Sequence, residues 1–317
     1  MDVLPKTPLH HSHHLARLVV AVAVAVVSLY LLLTVGFIFG RWNGTWAERI
    51  SAVVPTPVAW VGWHPIWAHD YVIFSNGLRH LAAAHPAQFT SKSSVSAEAM
   101  SQLIRAIETK ELLQGYGAKV TKADIDQAFS AQVSQSGSQS AVTAAIHDLY
   151  NWSLSDFRRY VTATDSGRDL LQEKLSFDQK KNASQAKQAQ TVDLLAKASV
   201  SHFAELAQMY SEDSYGSVGG DLGYVTRGEQ AQEIEDVAFS LAINQVSDVV
   251  HTKYGFHILK VTDRKQVNGE DQVRLSMIFI AAPNVDQEIT SQLKKQHVSV
   301  WEHGLTWDAK SADVSGK

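Results

Sequence analysis

The stretch from His202 to Asp263 constrains the fold of this chain more than any other. Phe203, Leu206, Ala207 and Tyr210 recur at i, i+3, i+4 and i+7, which predicts a short helix with one apolar face. Gly219-Gly220-Asp221-Leu222-Gly223 follows, and its glycines end that helix in tight backbone turns. Ile234, Val237, Ala238 and Leu241 predict a second helix. Two strand-like runs, Val246–Thr252 and Phe256–Val261, then meet at Lys253-Tyr254-Gly255. Helix, glycine loop, helix and hairpin make a small α+β unit.

The same residues carry a family wording. Phe203-Ala204-Glu205-Leu206-Ala207, Tyr210-Ser211-Glu212-Asp213, Gly219–Gly223, Arg227-Gly228, Ala238-Phe239, Val246-Ser247, Thr252 and Gly255-Phe256-His257-Ile258 stand in this order. In order and spacing they resemble the parvulin (rotamase) family of peptidyl-prolyl cis-trans isomerases. A lone Gly-Gly-Asp-Leu-Gly is a weak signal, whereas the ordered set is specific. The resemblance implies a small antiparallel sheet with surrounding helices, and unfolded or proline-containing polypeptides as partners. Rotation about an X–Pro bond faces a barrier of about 18–20 kcal/mol from amide resonance. An enzyme for that step needs no nucleophile, metal or cofactor, and none is expected here. It must hold the twisted amide better than the planar one, with an apolar ring pocket and polar groups tuned to the carbonyl.

Carried over residue by residue, the resemblance puts the family's polar aspartate on Asp213, its threonine on Thr252 and its second histidine on His257. These are the candidate catalytic residues. Asp213 also suits a helix cap, and His257 a sheet residue with satisfied partners. In the proline pocket the leucine falls on Leu222, the methionine position on Gln230 and the phenylalanine position on Ile234. An amide at position 230 costs desolvation unless partnered, and Ile234 offers no aromatic face. The expectation is therefore a parvulin-type isomerase with weakened catalysis. The alternative is a non-catalytic holdase that keeps the fold to bind peptide.

The family opens with a strand, and residues 168–199 offer none: the segment is polar, rich in alanine and glutamine, and reads as helix. Lys174–Gln179 places an acid and an amide where core aliphatics belong. Gln272–Ile280 is a better copy, preceded by the Asn268-Gly269 turn signal. Two readings are open. In one, 272–280 pairs with Phe256–Val261 and fills the opening strand's place, so the family's first histidine falls on Met277, the fourth candidate substrate-binding residue. In the other, 272–280 begins a second, truncated copy of the domain, and that histidine falls near Phe177. Neither side chain can share a proton with His257.

The N-terminal region is of another kind. Leu18–Phe39 has no charged residue and is almost wholly apolar. It is long enough for a hydrocarbon core of about 30 Å, and it lacks the small-residue cleavage site of a secretory leader. The expectation is an uncleaved transmembrane helix, with membrane lipid as a partner. Lys6 and Arg17 before the span nearly balance Arg41 and Arg49 after it. The short tail favours an inside N-terminus and an extracytoplasmic ectodomain. His10, His11, His13 and His14 crowd the tail without any preorganised geometry, so no metal site is expected there. The formal net charge of −4 gives no nucleic-acid-binding surface. The lack of cysteine excludes disulfides, thiolate metal sites and cysteine nucleophiles.

Val58, Trp60 and Gly62 suggest a strand broken at His64-Pro65, with Trp60, Trp63 and Trp67 expected mainly in core packing. Residues 97–175 read as helices, with Thr121 as an N-cap and a stop near Thr164-Asp165-Ser166-Gly167. Their order resembles the N-terminal domain of SurA-, PpiD- and PrsA-like chaperones. The expected organisation is a cytoplasmic tail (1–17), transmembrane signal anchor (18–39), linker (40–57), SurA-like helical chaperone domain (58–175), parvulin-like domain (176–281) and C-terminal extension (282–317).

Overall fold

The computed structural model describes residues 12–39, 44–86 and 92–316, so most of the expected tail, including His10 and His11, lies outside the described residues. The chain begins with helices α1 (Ser12–Phe39) and α2 (Gly44–Ser51), strands β1 (Pro57–Val61) and β2 (His64–Trp67), and helix α3 (Ala68–Ala84). Helices α4 (Lys92–Gly115), α5 (Lys122–Ser136), α6 (Gln139–Tyr150), α7 (Leu154–Phe157), α8 (Ala163–Phe177), α9 (Ala183–Ala198) and α10 (Phe203–Tyr210) follow. Then come β3 (Asp221–Val225), α11 (Gln232–Ser240), β4 (Val250–Thr252), β5 (Gly255–Val267) and β6 (Glu270–Ala281). The chain closes with α12 (Val285–Leu293), β7 (Val298–Val300), β8 (Leu305–Asp308) and β9 (Asp313–Gly316). This is an α+β protein with small antiparallel sheets.

The expected membrane segment is helical, but the side chains described in α1 are only those of residues 22–36, a length of about 22 Å. Among the described residues no helix is long and apolar enough to cross a membrane.

The molecule divides into two compact units. The first comprises residues 1–107, 133–160 and 293–317. Its three-stranded sheet runs β2-β1-β7, all antiparallel. His64-Pro65 does not end the strand region as expected, because the chain turns at Gly62-Trp63 and returns as β2. Pro65 is tolerated there because β2 is an edge strand. The core of this sheet is aliphatic, with Val58, Ala59, Val61 and Ile66 buried. Trp63 and Trp67 are exposed instead of packed in the core, at 92% and 40%. The expected linker is partly folded: α2 buries Ala47 and Ser51. The end of the chain is also built in, since β7 pairs with β1.

The second unit comprises residues 108–132 and 161–292, so the segment 58–175 contributes to both units. Thr121 caps α5: its hydroxyl accepts from the Asp124 N–H, and the Asp124 carboxylate accepts from the Thr121 N–H at 2.7 Å. Helix α8 does not stop at Gly167 but runs through it. The glycine lies against Thr109, Leu113 and Val120, and tertiary packing overrides its weak propensity. Glu108 on α4 is buried, and one of its carboxylate oxygens has no hydrogen-bond partner. Burial, then the charges of Glu111 and Glu288, raise its pKa to about 7.

The second unit's sheet has the order β3-β6-β5-β4, antiparallel throughout. Strands β5 and β6 pair from Gly255–Ala281 to Val267–Glu270, with Phe256 opposite Ile280 and Leu259 opposite Met277. Asn268 and Gly269 close the hairpin at φ 53° and 87°, the geometry of a type I′ turn. Lys174–Gln179 is the end of α8 and a turn, not a strand. Alternation along the strands divides the core. Phe256, Ile258, Ile278 and Ile280 meet α9 and α10 on one face. Leu259, Val261, Val273, Leu275 and Met277 meet Ile234 and Ala238 of α11 on the other. Gly220 explains the glycine cluster: it has φ 78°, and a Cβ there would lie 2.3 Å from the Met277 carbonyl oxygen. Its own carbonyl accepts from the Met277 N–H at 2.9 Å, so the loop is stitched to β6.

Candidate functional site

His257 and Met277 lie on the α11 side of the sheet, on β5 and β6, where alternation aims them. His257 is buried. Its Nε2 lies 2.9 Å from Thr252 Oγ1, and its Nδ1 lies 3.1 Å from Met277 Sδ. The Phe279 ring, opposite His257 across the hairpin, is tilted against the imidazole at a centroid distance of 4.9 Å. Thr252 Oγ1 accepts from the Tyr254 N–H at 3.2 Å. The hydroxyl keeps one proton and one lone pair, so its role toward Nε2 follows from the histidine tautomer.

The sulfur facing Nδ1 has no proton to donate, and this selects the tautomer. With Nε2 accepting, Nδ1 carries the hydrogen and directs it at a sulfur, a weak acceptor. The other tautomer would set a nitrogen lone pair against the sulfur lone pairs. Burial, and secondarily the nearby His251, depress the His257 pKa to about 4. At neutral pH the imidazole is therefore an uncharged acceptor for the threonine.

Asp213 is held at the same end of β6 but makes no described hydrogen bond to His257. It caps the 3₁₀ turn Ser214–Val218, its Oδ1 accepting from the Gly216 N–H at 3.0 Å and the Ser211 hydroxyl at 2.9 Å. Ser211 Oγ accepts in turn from the Phe279 N–H at 2.9 Å. The link from Asp213 to His257 thus runs through Ser211 and Phe279. Asp213 Oδ2 is buried and has no hydrogen-bond partner.

The apolar candidates gather on the same face. Ile234 is buried in the cluster with Leu259, Leu275 and Met277, and Leu222 and Phe279 pack against it half-buried. Gln230 lies in the loop before α11, where its backbone N–H donates to Glu235 Oε1 at 2.9 Å. The same oxygen accepts from the Gly228 N–H at 2.7 Å, so the buried Glu235 carboxylate shapes this loop. Sequence reasoning assigned no role to Phe279, although the alternation that puts Met277 beside His257 puts Phe279 there too. It also missed Ser176 and His251. Ser176 donates from α8 to the Thr252 carbonyl at 2.7 Å and lies 3.1 Å from His251 Nε2. Contacts this remote in sequence leave no local signal.

A helix–glycine loop–helix–hairpin built around a threonine–histidine pair is the arrangement of a parvulin domain. The Rotamase family, described as the PPIC-type PPIASE domain, matches residues 170–263, and this stretch belongs to that family. The foldase protein PrsA of Geobacillus sp. (strain WCH70) is 52% identical over 79 residues, 24% of this chain and 28% of that protein. Foldase protein PrsA 1 of Bacillus cereus is 47% identical over 73 residues, 23% of this chain and 26% of that protein. The chaperone SurA of Burkholderia orbicola is 35% identical over 98 residues, 31% of this chain and 22% of that protein. The chain thus spans between a fifth and a third of the length of these relatives. A crystal structure of peptidylprolyl isomerase (PrsA) from Bacillus anthracis aligns at a TM-score of 0.22 and 18% identity, over 60% of this chain and 88% of that one. That likeness carries no structural argument.

Proposed function

We propose that this protein is a membrane-anchored, extracytoplasmic foldase whose parvulin domain binds unfolded, proline-containing polypeptides and isomerises X–Pro bonds slowly. The observation that carries the reading is the Thr252–His257 pair at 2.9 Å within a domain of the isomerase family. A neutral imidazole accepting from Thr252 offers a polar wall for a twisting amide, and Leu222, Ile234 and Phe279 offer apolar surface for the ring. Asp213, through its unpartnered oxygen, would complete the polar side. Slow chemistry follows from Met277, which gives His257 a sulfur and no second proton carrier, and from the amide of Gln230. Strand 270–281 would stand in for the family's opening strand. It lies beyond the matched stretch 170–263 and sits between β3 and β5.

The anchor would be α1. Its 28 residues extend about 42 Å, and Leu18–Phe39 is uncharged. The N-terminal side of the helix would remain inside, with lipid the partner of the helix. A SurA-like helical segment before the parvulin domain would hold clients. A holdase without catalysis is the second reading, favoured by the same Met277 and Gln230. Proline-peptide isomerisation measured beside suppression of client aggregation tests both. The expected outcome is slow isomerisation that falls in His257→Ala, with aggregation suppression retained. Isomerisation unchanged in both His257→Ala and Asp213→Ala would overturn the site. Absence of any isomerisation with full suppression would select the holdase.

A further inference from the structure

Helix α8 precedes the glycine loop and hairpin, and none of the candidate catalytic or substrate-binding residues lies on it. Yet one of its faces holds the turn between β4 and β5. Asp169, Gln172 and Ser176 stand at i, i+3 and i+7, one stripe of a helix. Ser176, fully buried, donates to the Thr252 carbonyl at 2.7 Å. Gln172 Nε2 donates to the Lys253 carbonyl at 3.2 Å, and also to the Pro283 carbonyl at 3.2 Å beyond β6. Its Oε1 accepts from the Val285 N–H at 3.2 Å. Lys253 Nζ lies 3.5 Å from Asp169 Oδ1. At the helix end, the Phe177 ring packs on His251 at 4.3 Å, and His251 stacks on Phe256.

We propose that α8 is a working part of the site: Ser176 and Gln172 are positioning residues that pin two successive carbonyls, those of Thr252 and Lys253, and thereby keep Thr252 Oγ1 on His257 Nε2. Thr252 Oγ1 meets both His257 Nε2 and the Tyr254 N–H, and it reaches the two together only while its side chain points along the turn. Both contacts depend on the peptide planes at 252–253 and 253–254. Those are the planes whose oxygens Ser176 and Gln172 hold. Ser176 gives its one proton to the Thr252 carbonyl, and breaking that bond in a buried setting is costly. The orientation of the hydroxyl follows: its proton goes to Thr252, so its lone pairs face His251 Nε2 and the His251 N–H donates to it.

The inference rests on Thr252 and His257 forming the site, and the test separates the two claims. The imidazole nitrogen chemical shifts of His257 are recorded in the full chain for wild type, Ser176→Ala, Gln172→Ala and Val192→Ala. Val192 is buried against the other face of the sheet and serves as a control for lost stability alone. Ser176→Ala and Gln172→Ala are each expected to move the His257 nitrogens away from the Nδ1–H pattern and to lower kcat/KM, through kcat, toward the His257→Ala level. Val192→Ala is expected to lower the melting temperature and leave the His257 shifts in place. Wild-type His257 shifts in both α8 variants would overturn the positioning role, as would equal displacement in the control. Gln172→Ala decides the matter if Ser176→Ala fails to fold. Isomerisation undiminished by His257→Ala would refute the catalytic reading instead, while the shifts would still report on α8.

Discussion

The two faces of the β3-β6-β5-β4 sheet are made from alternate residues of the same two long strands, and they differ in kind. On one, Ile258, Ile278 and Ile280 are wholly buried beneath α9 and α10. On the other, Leu259, Val261 and Leu275 are equally buried beneath α11, but along the strands the lining changes to Met277, His257 and half-buried Phe279. The first face supplies stability. The second carries a buried imidazole whose charged form is disfavoured, which is the condition for a polar group that accepts without ionising. One hairpin therefore serves as both scaffold and site, and damage to either face has a different signature.

Removing the shared strand is expected to have the largest effect. A chain ending at Asp271 loses nearly all of β6 and leaves β3 without a partner in the sheet. Hydrogen-exchange protection at the Ile258 and Leu259 amides should vanish. Protection at wild-type levels would show that β6 is dispensable. On the sealed face alone, Ile278→Ala should cost about 2–5 kcal/mol in urea unfolding, with the His257 nitrogen shifts unmoved. A shift in those signals would mean the faces are not separable.

Acid should act on the site face. The folded His257 pKa of about 4 lies below the unfolded value, so the unfolded chain takes up the proton first. Its contribution is full above about pH 6.5 and is lost as pH falls toward 4, about 3 kcal/mol in all. His257→Gln should flatten that slope in urea melts between pH 7.5 and 4.5; a slope equal to wild type would place the titration elsewhere. Glu108 works in the opposite sense. Its raised pKa of about 7 means that stability is present at low pH and is lost as pH rises toward and through 7. Glu108→Gln should therefore be more stable than wild type at pH 8 by about 1–3 kcal/mol, without altering the acid slope of His257.

Much of this arrangement was legible in the sequence, for definable reasons. Asn268-Gly269 and the alternation of Val273–Ile280 set the hairpin, because turn chemistry and period two are local properties. The same alternation brought Met277 to His257. The glycine cluster announced tight turns, and the structure adds what they allow, the close approach of Gly220 to the Met277 carbonyl. What the sequence hid was long-range. Pairing of β1 with β7 joins residues 59–61 to 298–300, and no local pattern encodes it. Gly167 read as a helix stop because propensity is local, whereas its packing against Thr109 and Val120 is not. Trp63 and Trp67 of the β1–β2 hairpin read as core, yet they are exposed and the fully buried side chains there are aliphatic. Ser176 and Gln172 look like ordinary helix residues until the turn they hold is in view.

The most direct test of the proposed weak site is to restore a proton partner at the position where His257 Nδ1 meets sulfur. Initial rates of proline-peptide isomerisation would be compared for the full-length wild type and Met277→His, with His257→Ala as background. Wild type should exceed the background modestly, and Met277→His should raise kcat/KM about tenfold. A Met277→His protein that folds but is no faster than wild type would contradict it.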